Sequence, residues 1–216
     1  MTMTRVFALV CLFTAFATPS LGNVRVVDGD TLKIDDQSYR IYGIDAPEIG
    51  QTCGAFACGK EAANALLGLV SGQRVTCEAV EIDRYGRKVA RCFAGQRDIG
   101  AAMVDAGLAW AFRKFSLDYA AHEDAAKAAA VGVWAHETSD TSPPSEFREE
   151  HWQASAQSSP QAGCPIKGNI SDNGRIYHAP WSPWYSRTKI NEAKGERWFC
   201  NELEAIQAEW RAPYWP

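Results

Sequence analysis

Alternating apolar and polar residues begin near residue 24 and predict strands. Residues 24–34 (VRVVDGDTLKI) place Val and Ile on both sides of a tight Asp-Gly-Asp, and residues 38–44 (SYRIYGI) alternate in the same way. Residues 74–82 and 87–93 flank the sequence DRYG, which suits a turn because Gly occupies a position that favours positive φ. Such alternation is typical of half-buried strands, so these segments predict two strand pairs, the second a β-hairpin.

Helical spacing of apolar residues marks three further segments. Residues 59–70 are rich in Ala and Leu, residues 98–106 follow Asp98 as an N-cap and stop at Gly107, and residues 118–131 are rich in Ala. Residues 108–112 predict a short strand. Strands first, with helices interleaved, predict a small β-barrel with packed helices.

The first 22 residues have the composition of an export signal peptide. A short basic start precedes an apolar run at residues 6–17, and small residues follow it. The run is shorter than the roughly 20 residues that a membrane-spanning helix needs, so an uncleaved anchor is the weaker alternative. We therefore predict a signal peptide at residues 1–22.

Six cysteines remain after the predicted signal peptide, and none of their spacings is Cys-x-x-Cys. An even number in an exported chain predicts disulfides, with a zinc site as the weaker alternative. A hairpin centred on the DRYG turn makes Cys77 and Cys92 equidistant from the turn, within disulfide reach across the strands. The predicted pairs are Cys53–Cys58, which could staple a loop, Cys77–Cys92, and Cys164–Cys200, which is left to close the C-terminal part.

A change of composition divides the chain. We predict a globular domain at residues 23–137, a linker rich in Ser and Pro at residues 138–163, and a small aromatic module at residues 164–216. Five of the eight Trp residues lie in that last segment. The charged run at residues 146–151 is interpreted as a solvated face of the linker.

The net charge of the chain argues against nucleic-acid storage more strongly than against a nuclease. Without the signal peptide the chain carries a formal net charge of −5, which disfavours storage or packaging of nucleic acid. An enzyme that must release its product needs positive charge only at its site, so the charge does not disfavour a nuclease.

Three short segments carry candidate chemistry: VDGDT at residues 27–31, Arg40 with GIDAPE at residues 43–48, and DRYGR at residues 83–87. Each alone is an ordinary turn or helix-start sequence. Together they contain the groups that phosphodiester hydrolysis requires, which are oxygen ligands for Ca²⁺, a base that activates water, and arginines that pair with phosphate oxygens.

These segments, with GLAW and GVW further along, resemble the staphylococcal nuclease (thermonuclease) family over residues 24–136. The resemblance implies a mainly β, α+β fold, a five-stranded OB-type barrel with three helices. The segment at residues 164–216 resembles a Cys-bounded module appended to some bacterial relatives.

The resemblance also implies a role for each matching residue. Asp30 and Asp45 match the calcium-binding carboxylates, and Glu48 matches the general base. The other implied roles are phosphate binding by Arg40 and Arg87, a main-chain carbonyl ligand at Ala46 and support of the metal site by Asp28. Arg113 and Phe115 depart from the family, which has tyrosines that pack around the nucleotide at these positions; Phe115 could still stack on a base, and Arg113 could contact phosphate. The family cuts DNA and RNA and leaves 3′-phosphates.

The sequence thus predicts an exported, Ca²⁺-dependent nuclease of DNA and/or RNA, periplasmic or secreted. It is expected to be a monomer with no stable protein partner and no membrane anchor after signal removal. Two alternatives stay open at this point: a non-catalytic nucleic-acid-binding module on the same scaffold, and a cell-envelope-binding protein that acts through its C-terminal module.

Overall fold

The computed structural model describes residues 22–136, 138 and 141–216. All but the last residue of the predicted signal peptide lies outside this range. We name residues 22–136 the sheet region and residues 141–216 the appended region. Within the described parts of the chain, no helix combines the length and apolarity needed to cross a membrane.

Eight strands lie among the described residues of the sheet region: β1 (Val24–Val26), β2 (Thr31–Ile34), β3 (Gln37–Ile41), β4 (Ile44–Asp45), β5 (Val75–Ile82), β6 (Lys88–Ala94), β7 (Arg97–Asp98) and β8 (Trp110–Ala111). The main sheet has the order β1-β2-β3-β6-β5, and β7 also pairs with β6. β3 and β6 are parallel, whereas the other neighbours are antiparallel. β4 and β8 form a separate antiparallel pair.

The predicted number of five strands is therefore wrong for this region. The Asp-Gly-Asp turn divides the first predicted strand into β1 and β2, and the main-chain N–H of Val27 donates to the Thr31 carbonyl at 2.9 Å. Gly43 divides the second, because its φ of +75° lies outside the range of an extended strand. This division turns Asp45 away from the main sheet and onto its own short pair.

Three α-helices lie in the described part of the sheet region, as predicted: α1 (Cys58–Val70), α2 (Ile99–Asp105) and α3 (Ala120–Ala128). The Asp98 carboxylate caps α2 by accepting from the Ala101 N–H at 3.0 Å, and Gly107 follows the helix at a φ of +63°. Both the predicted cap and the predicted stop are confirmed. A 3-10 turn at Gly132–Ala135 follows α3.

The β5–β6 hairpin places Cys77 directly opposite Cys92, and the two are joined by a disulfide. The pairs nearest the turn, such as Ile82 with Lys88, are centred at residue 85. A bulge between Ala79 and Glu81 adds one residue to β5, so the pairs farther out are centred between residues 84 and 85, as predicted.

The other two predicted disulfides, Cys53–Cys58 and Cys164–Cys200, are also formed. The first closes the loop that leads into α1, and the second closes the appended region. Three disulfides fit an oxidising compartment.

The appended region contains α4 (Pro144–Ala156), β9 (Ile166–Ser171), β10 (Gly174–His178), a 3-10 turn (Glu192–Lys194), β11 (Arg197–Phe199) and α5 (Glu202–Gln207). Its three strands form an antiparallel sheet in the order β10-β9-β11. Its core consists of Ile166, Tyr177, Phe199, Ala205 and Trp210.

Helix α4 lies within the segment predicted as a linker. Pro144 occupies its first turn, where the missing N–H of proline costs nothing, and Glu146 favours the positive end of the helix dipole. The domain boundaries themselves stay a prediction.

Two tryptophans join the appended region to the sheet region. Trp184 and Trp215 pack against the core of the sheet region. The main-chain N–H of Trp215 donates to the Val26 carbonyl at 2.8 Å, and its indole N–H donates to Asn64 Oδ1 at 2.9 Å. These contacts attach the end of the appended region to β1 and α1.

Candidate active site

A cleft of about 1430 Å³ lies between the two regions. The sheet region lines it with charged residues that include Asp28, Arg40, Glu48 and Arg87. The appended region lines it with Arg148 and with aromatic residues, namely Trp152, Tyr177, Trp181, Trp184, Trp210 and Tyr214. Both walls carry charged residues, and the tryptophans of the lining all come from the appended region, whose side we call the aromatic wall.

Arg40 joins the two carboxylates that the sequence singled out. It lies on β3, and its Nη1 donates to Asp30 Oδ1 at 2.9 Å while its Nη2 donates to Asp45 Oδ1 at 2.7 Å. Asp30 and Asp45 are both buried. Buried carboxylates require partners, and a planar guanidinium meets two of them at once. The fold thus brings together Asp30, Arg40 and Asp45.

Local bonds fix Asp30 in place. Its Oδ2 accepts from the main-chain N–H of Ala46 at 3.0 Å, and its Oδ1 also accepts from the Thr31 hydroxyl at 2.9 Å. Asp28 Oδ1 accepts from the Asp30 N–H at 3.1 Å, which shapes the turn. The Ala46 contact ties the β1–β2 turn to the segment that carries Asp45 and Glu48.

Glu48 is held at the start of the loop that leads to α1. The Gln51 N–H donates to the Glu48 carbonyl at 2.7 Å, and Gln51 Oε1 accepts from the Glu48 N–H at 3.2 Å. Gly59 of α1 sits so close that an added Cβ would lie 1.7 Å from the Glu48 carbonyl oxygen. The backbone of Glu48 is therefore tightly confined.

Burial controls the protonation of these carboxylates. It raises the pKa of Glu48 to about 7, because Asp30 and Asp45 add to the effect and Arg148 only partly opposes it. Burial also raises the pKa of Asp28 well above its usual range, together with the charges of Asp30 and Glu48. A carboxylate with a pKa near 7 can both hold and release a proton at neutral pH.

The pKa values of Asp30 and Asp45 shift in opposite directions. Burial would raise the pKa of Asp30, but Arg40 and the Ala46 N–H hold it below the usual range. Burial raises the pKa of Asp45 despite the opposing charges of Arg40 and Arg148. Burial therefore outweighs the arginines at Asp45 but not at Asp30.

Arg87 lies in the same cleft but bonds within its own hairpin. Its Nε donates to Asp83 Oδ2 at 2.7 Å, and its guanidinium lies over the Tyr85 ring at 5.0 Å from the centroid. Burial tends to lower the pKa of Arg87, and Glu202 of the appended region raises it. Arg87 therefore lines the cleft with Arg40 while being oriented independently of it.

The two residues proposed for nucleotide contacts are placed differently. Phe115 lines the cleft and its side chain is exposed. Arg113 donates from Nε to Glu123 Oε2 at 2.8 Å and also pairs with Asp124, and it does not line the cleft. These contacts hold Arg113 against α3 and favour a structural role for it.

The sequence analysis missed Arg148. It belongs to the charged run that was interpreted as a solvated face, but its side chain is only 22% exposed and lies against Asp45 and Glu48. Two signals could have found it. Pro-Pro-Ser-Glu at residues 143–146 is a helix start, and Arg148 with Trp152 four residues later shares one helix face.

The aromatic wall of the cleft has its own polar contacts. The Tyr177 hydroxyl donates to Glu202 Oε2 at 3.1 Å, and burial raises its pKa well above the usual value. Tyr214 lies between Arg25 and Arg211, whose guanidinium carbons are 5.0 and 4.3 Å from its ring centroid. Aromatic rings beside arginines are typical of surfaces that bind single nucleic-acid strands.

The donor set suits a hard cation. Asp30 and Asp45 supply carboxylate oxygens, which Ca²⁺ prefers, and burial, with smaller contributions from neighbouring carboxylates, raises the pKa values of Asp28, Asp45 and Glu48. In the described residues no group of three or more His, Cys, Asp or Glu side chains is arranged to hold a metal. A cation would therefore need main-chain oxygens or water in addition to the two aspartates.

Comparison with known proteins places this site in a family. The family model described as "Staphylococcal nuclease homologue" matches residues 38–136. Three relatives are a micrococcal nuclease of Shigella flexneri, an uncharacterized endonuclease of Haemophilus influenzae, and the succinoglycan biosynthesis protein ExoI of Rhizobium meliloti.

The micrococcal nuclease is 35% identical over 128 residues, which are 51% of this chain and 71% of that protein. The endonuclease is 32% identical over 136 residues, and the match covers 59% of this chain and 71% of that protein. ExoI is 37% identical over 126 residues, 55% of this chain and 66%, just under two thirds, of that protein. This chain belongs to the family of staphylococcal nuclease homologues.

Proposed function

We propose that this protein is an exported, Ca²⁺-dependent nuclease that hydrolyses phosphodiester bonds of DNA and/or RNA and leaves 3′-phosphates. One observation carries the proposal: Arg40 holds the buried Asp30 and Asp45 together, with Glu48 beside them in an open cleft. The relatives named as nucleases support the same activity. The OB-type closure of the sheet is proposed with it, from the family resemblance.

Glu48 is the proposed general base. A base works best when its pKa lies near the working pH, and burial raises the pKa of Glu48 to about 7. Its confined backbone limits where its carboxylate can meet the attacking water. As the water oxygen bonds to phosphorus, its proton passes to Glu48 and the bond from phosphorus to the 5′ oxygen breaks. The departing 5′ oxygen takes up a proton from solvent to become a hydroxyl, and the phosphate stays on the 3′ side.

Arg40 and Arg87 are the proposed phosphate-binding residues. A guanidinium has five N–H donors, and the two carboxylate bonds of Arg40 leave others for a phosphate oxygen. Arg87 faces the same cleft from the hairpin. Two positive charges there stabilise the extra negative charge of the transition state.

Asp30 and Asp45 are the proposed Ca²⁺ ligands, with the main-chain carbonyl of Ala46 as a third and Asp28 as support. When bound, Ca²⁺ would polarise a phosphoryl oxygen as a Lewis acid. The chain's own contribution is to keep the two aspartates ionised and close together, which Arg40 does from one side.

Two features favour this enzyme over the alternatives considered. A retired scaffold that only binds nucleic acid has no need for a buried base, and Glu48 and both carboxylates of the cluster are present. The aromatic residues of the appended region line the same cleft as Glu48, which favours a role in substrate binding there over binding to envelope glycans.

The test is digestion of single- and double-stranded DNA and RNA by the full chain, with Ca²⁺ or with a chelator. We expect cleavage with Ca²⁺ alone, and products whose 3′-phosphates are removed by a phosphatase. Glu48→Gln is the control for a contaminating nuclease. A folded wild-type protein that cleaves none of these substrates would contradict the proposal. Export is tested by the N-terminus of protein recovered from outside the cytoplasm, and a monomeric state is expected.

A further inference from the structure

Helix α4 is held beside the carboxylate cluster by contacts at its start. Gln51, the residue that binds Glu48 through the main chain, donates from Nε2 to the Ser142 carbonyl at 2.8 Å. Pro144, the first residue of the helix, is buried. The Glu48 loop and the helix start are thus one connected unit.

Arg148 projects from this helix into the cluster. Its Nη2 lies 3.0 Å from both Oδ1 and Oδ2 of Asp45, and its Nη1 donates to Glu48 Oε1 at 2.9 Å. The guanidinium therefore bridges the proposed metal ligand and the proposed base. These partners lie 103 and 100 residues away in the chain.

The contacts form an unbroken line of alternating charge. Asp30 bonds to Arg40, Arg40 to Asp45, Asp45 to Arg148, and Arg148 to Glu48. Each arginine uses two nitrogens to join two carboxylates, which the single ammonium of a lysine cannot do in a fixed plane. Arg148 thus links Glu48 to Asp45 in the same way as Arg40 links Asp45 to Asp30.

Electrostatics agree with this geometry. Burial raises the pKa of Glu48, and Arg148 is the strongest influence that lowers it. Burial would lower the pKa of Arg148, but Glu48 and Asp45 raise it, so the guanidinium stays charged. The charged guanidinium therefore lies within hydrogen-bond distance of both carboxyl groups.

We infer that Arg148 is a positioning residue of the hydrolytic site, which holds the base Glu48 against Asp45 and shares Asp45 with the bound divalent cation. The inference rests on the proposed function for the roles of Glu48 and Asp45. It assigns to the appended region a direct part in organising the reaction centre.

Two effects follow when the guanidinium is removed. Glu48 loses its side-chain partner and its fixed direction, and a displacement of about 1 Å can lower the rate by about 100-fold. The cation binds more tightly, because one positive charge near Asp45 is gone and Asp45 Oδ2 loses its partner, while Oδ1 keeps its bond to Arg40. A residue that merely stabilised the fold would not lower turnover while strengthening cation binding.

The experiment compares three variants of the full chain with wild type: Arg148→Ala, Arg148→Lys and Glu150→Ala. Glu150 is an exposed acidic residue of the same helix, outside the cleft lining, so it controls for damage to α4. Ca²⁺ binding is measured by calorimetry without nucleic acid, and kcat and KM are measured on a single-stranded DNA oligonucleotide.

For Arg148→Ala we expect Ca²⁺ binding about tenfold tighter and kcat about 10- to 100-fold lower, with KM changed less than kcat. Arg148→Lys keeps the charge but not the bridge, so it should bind Ca²⁺ within about twofold of wild type and still lose kcat. Glu150→Ala should match wild type in both measurements.

Weaker Ca²⁺ binding in Arg148→Ala, or a kcat equal to that of wild type, would overturn the inference. If Arg148→Ala does not fold, Arg148→Lys decides the matter, and full activity in that variant would overturn it. A wild-type protein that cleaves no nucleic acid would contradict the proposed function alone, since the Ca²⁺ titrations of wild type and variants would still test the contact of Arg148 with Asp45.

Discussion

The sheet region and the appended region bring different chemistry to one cleft. The sheet region supplies four carboxyl groups, at Asp28, Asp30, Asp45 and Glu48, on turns and strand ends that short-range bonds hold in place. Of these, Asp28 and Glu48 line the cleft, whereas Asp30 and Asp45 are buried. The appended region supplies the four tryptophans of the cleft lining together with Arg148 and Arg211, which reach the cleft through packing between the regions. The proposed reacting groups and the groups proposed to grip or orient the substrate are therefore encoded in separate parts of the chain.

The largest expected effect tests whether the sheet region carries the reaction. Glu48→Gln keeps the size of the side chain but cannot accept a proton, so we expect kcat to fall by about 10²- to 10⁴-fold. Glu61→Gln, an exposed carboxylate of α1, is the matched control and should leave kcat unchanged. Initial rates on DNA with Ca²⁺, with circular dichroism to check folding, make the measurement. Equal rates in wild type and Glu48→Gln would remove Glu48 from the mechanism.

A second test compares two arginines within the sheet region. Arg87 lines the cleft whereas Arg113 is bound to α3, so Arg87→Ala should lower kcat by about 100-fold, the loss of one transition-state donor. Arg113→Ala should stay within about twofold. A large loss of activity in a well-folded Arg113→Ala would instead restore the phosphate contact implied by the family resemblance.

A third test asks whether the appended region grips the substrate. Trp181 lies 6.4 Å from Trp152 between ring centroids in the aromatic wall, so Trp181→Ala should raise KM for single-stranded DNA by about tenfold with little change in kcat. Trp198, which is half-buried outside this cleft, is the control. If substitution of Trp198 by Ala changes KM as much as Trp181→Ala does, the aromatic wall does not bind the bases of the substrate.

The smallest expected effect concerns stability in α1. Gly59→Ala places a Cβ against the Glu48 carbonyl and should lower the free energy of unfolding by about 1–3 kcal/mol. Gly68→Ala in the same helix meets no atom within 4 Å and should raise it by about 0.5–1 kcal/mol. Urea unfolding of both variants gives the comparison, and similar values for the two would show that the Glu48 loop yields to the added methyl group.

Local pattern predicted most of the sheet region. The Cys77–Cys92 pair followed from the hairpin turn alone. The groups Asp30, Arg40, Asp45 and Glu48 followed from two short segments, because turns and strand ends depend on neighbouring residues. The number of strands was wrong where Gly43 bends the chain, since a pattern of alternating residues does not show a positive φ.

Long-range packing explains what the sequence did not predict. A charged run with three glutamates around Arg148 has the composition of a solvent-facing helix, and only the docking of α4 onto the Gln51 loop turns Arg148 inward. The contacts of Arg113 were also not predicted, because Glu123 and Asp124 that pair with it lie on the following helix; its phosphate contact stays a prediction.

The distance in sequence between Arg148 and its partners also sets an order of assembly. During synthesis from the N-terminus, Asp45 and Glu48 are made about 100 residues before Arg148. Contacts of such long range form late in folding because the intervening loop must first be closed. The carboxylate cluster therefore matures in two stages, and its final geometry becomes available only after α4 has docked.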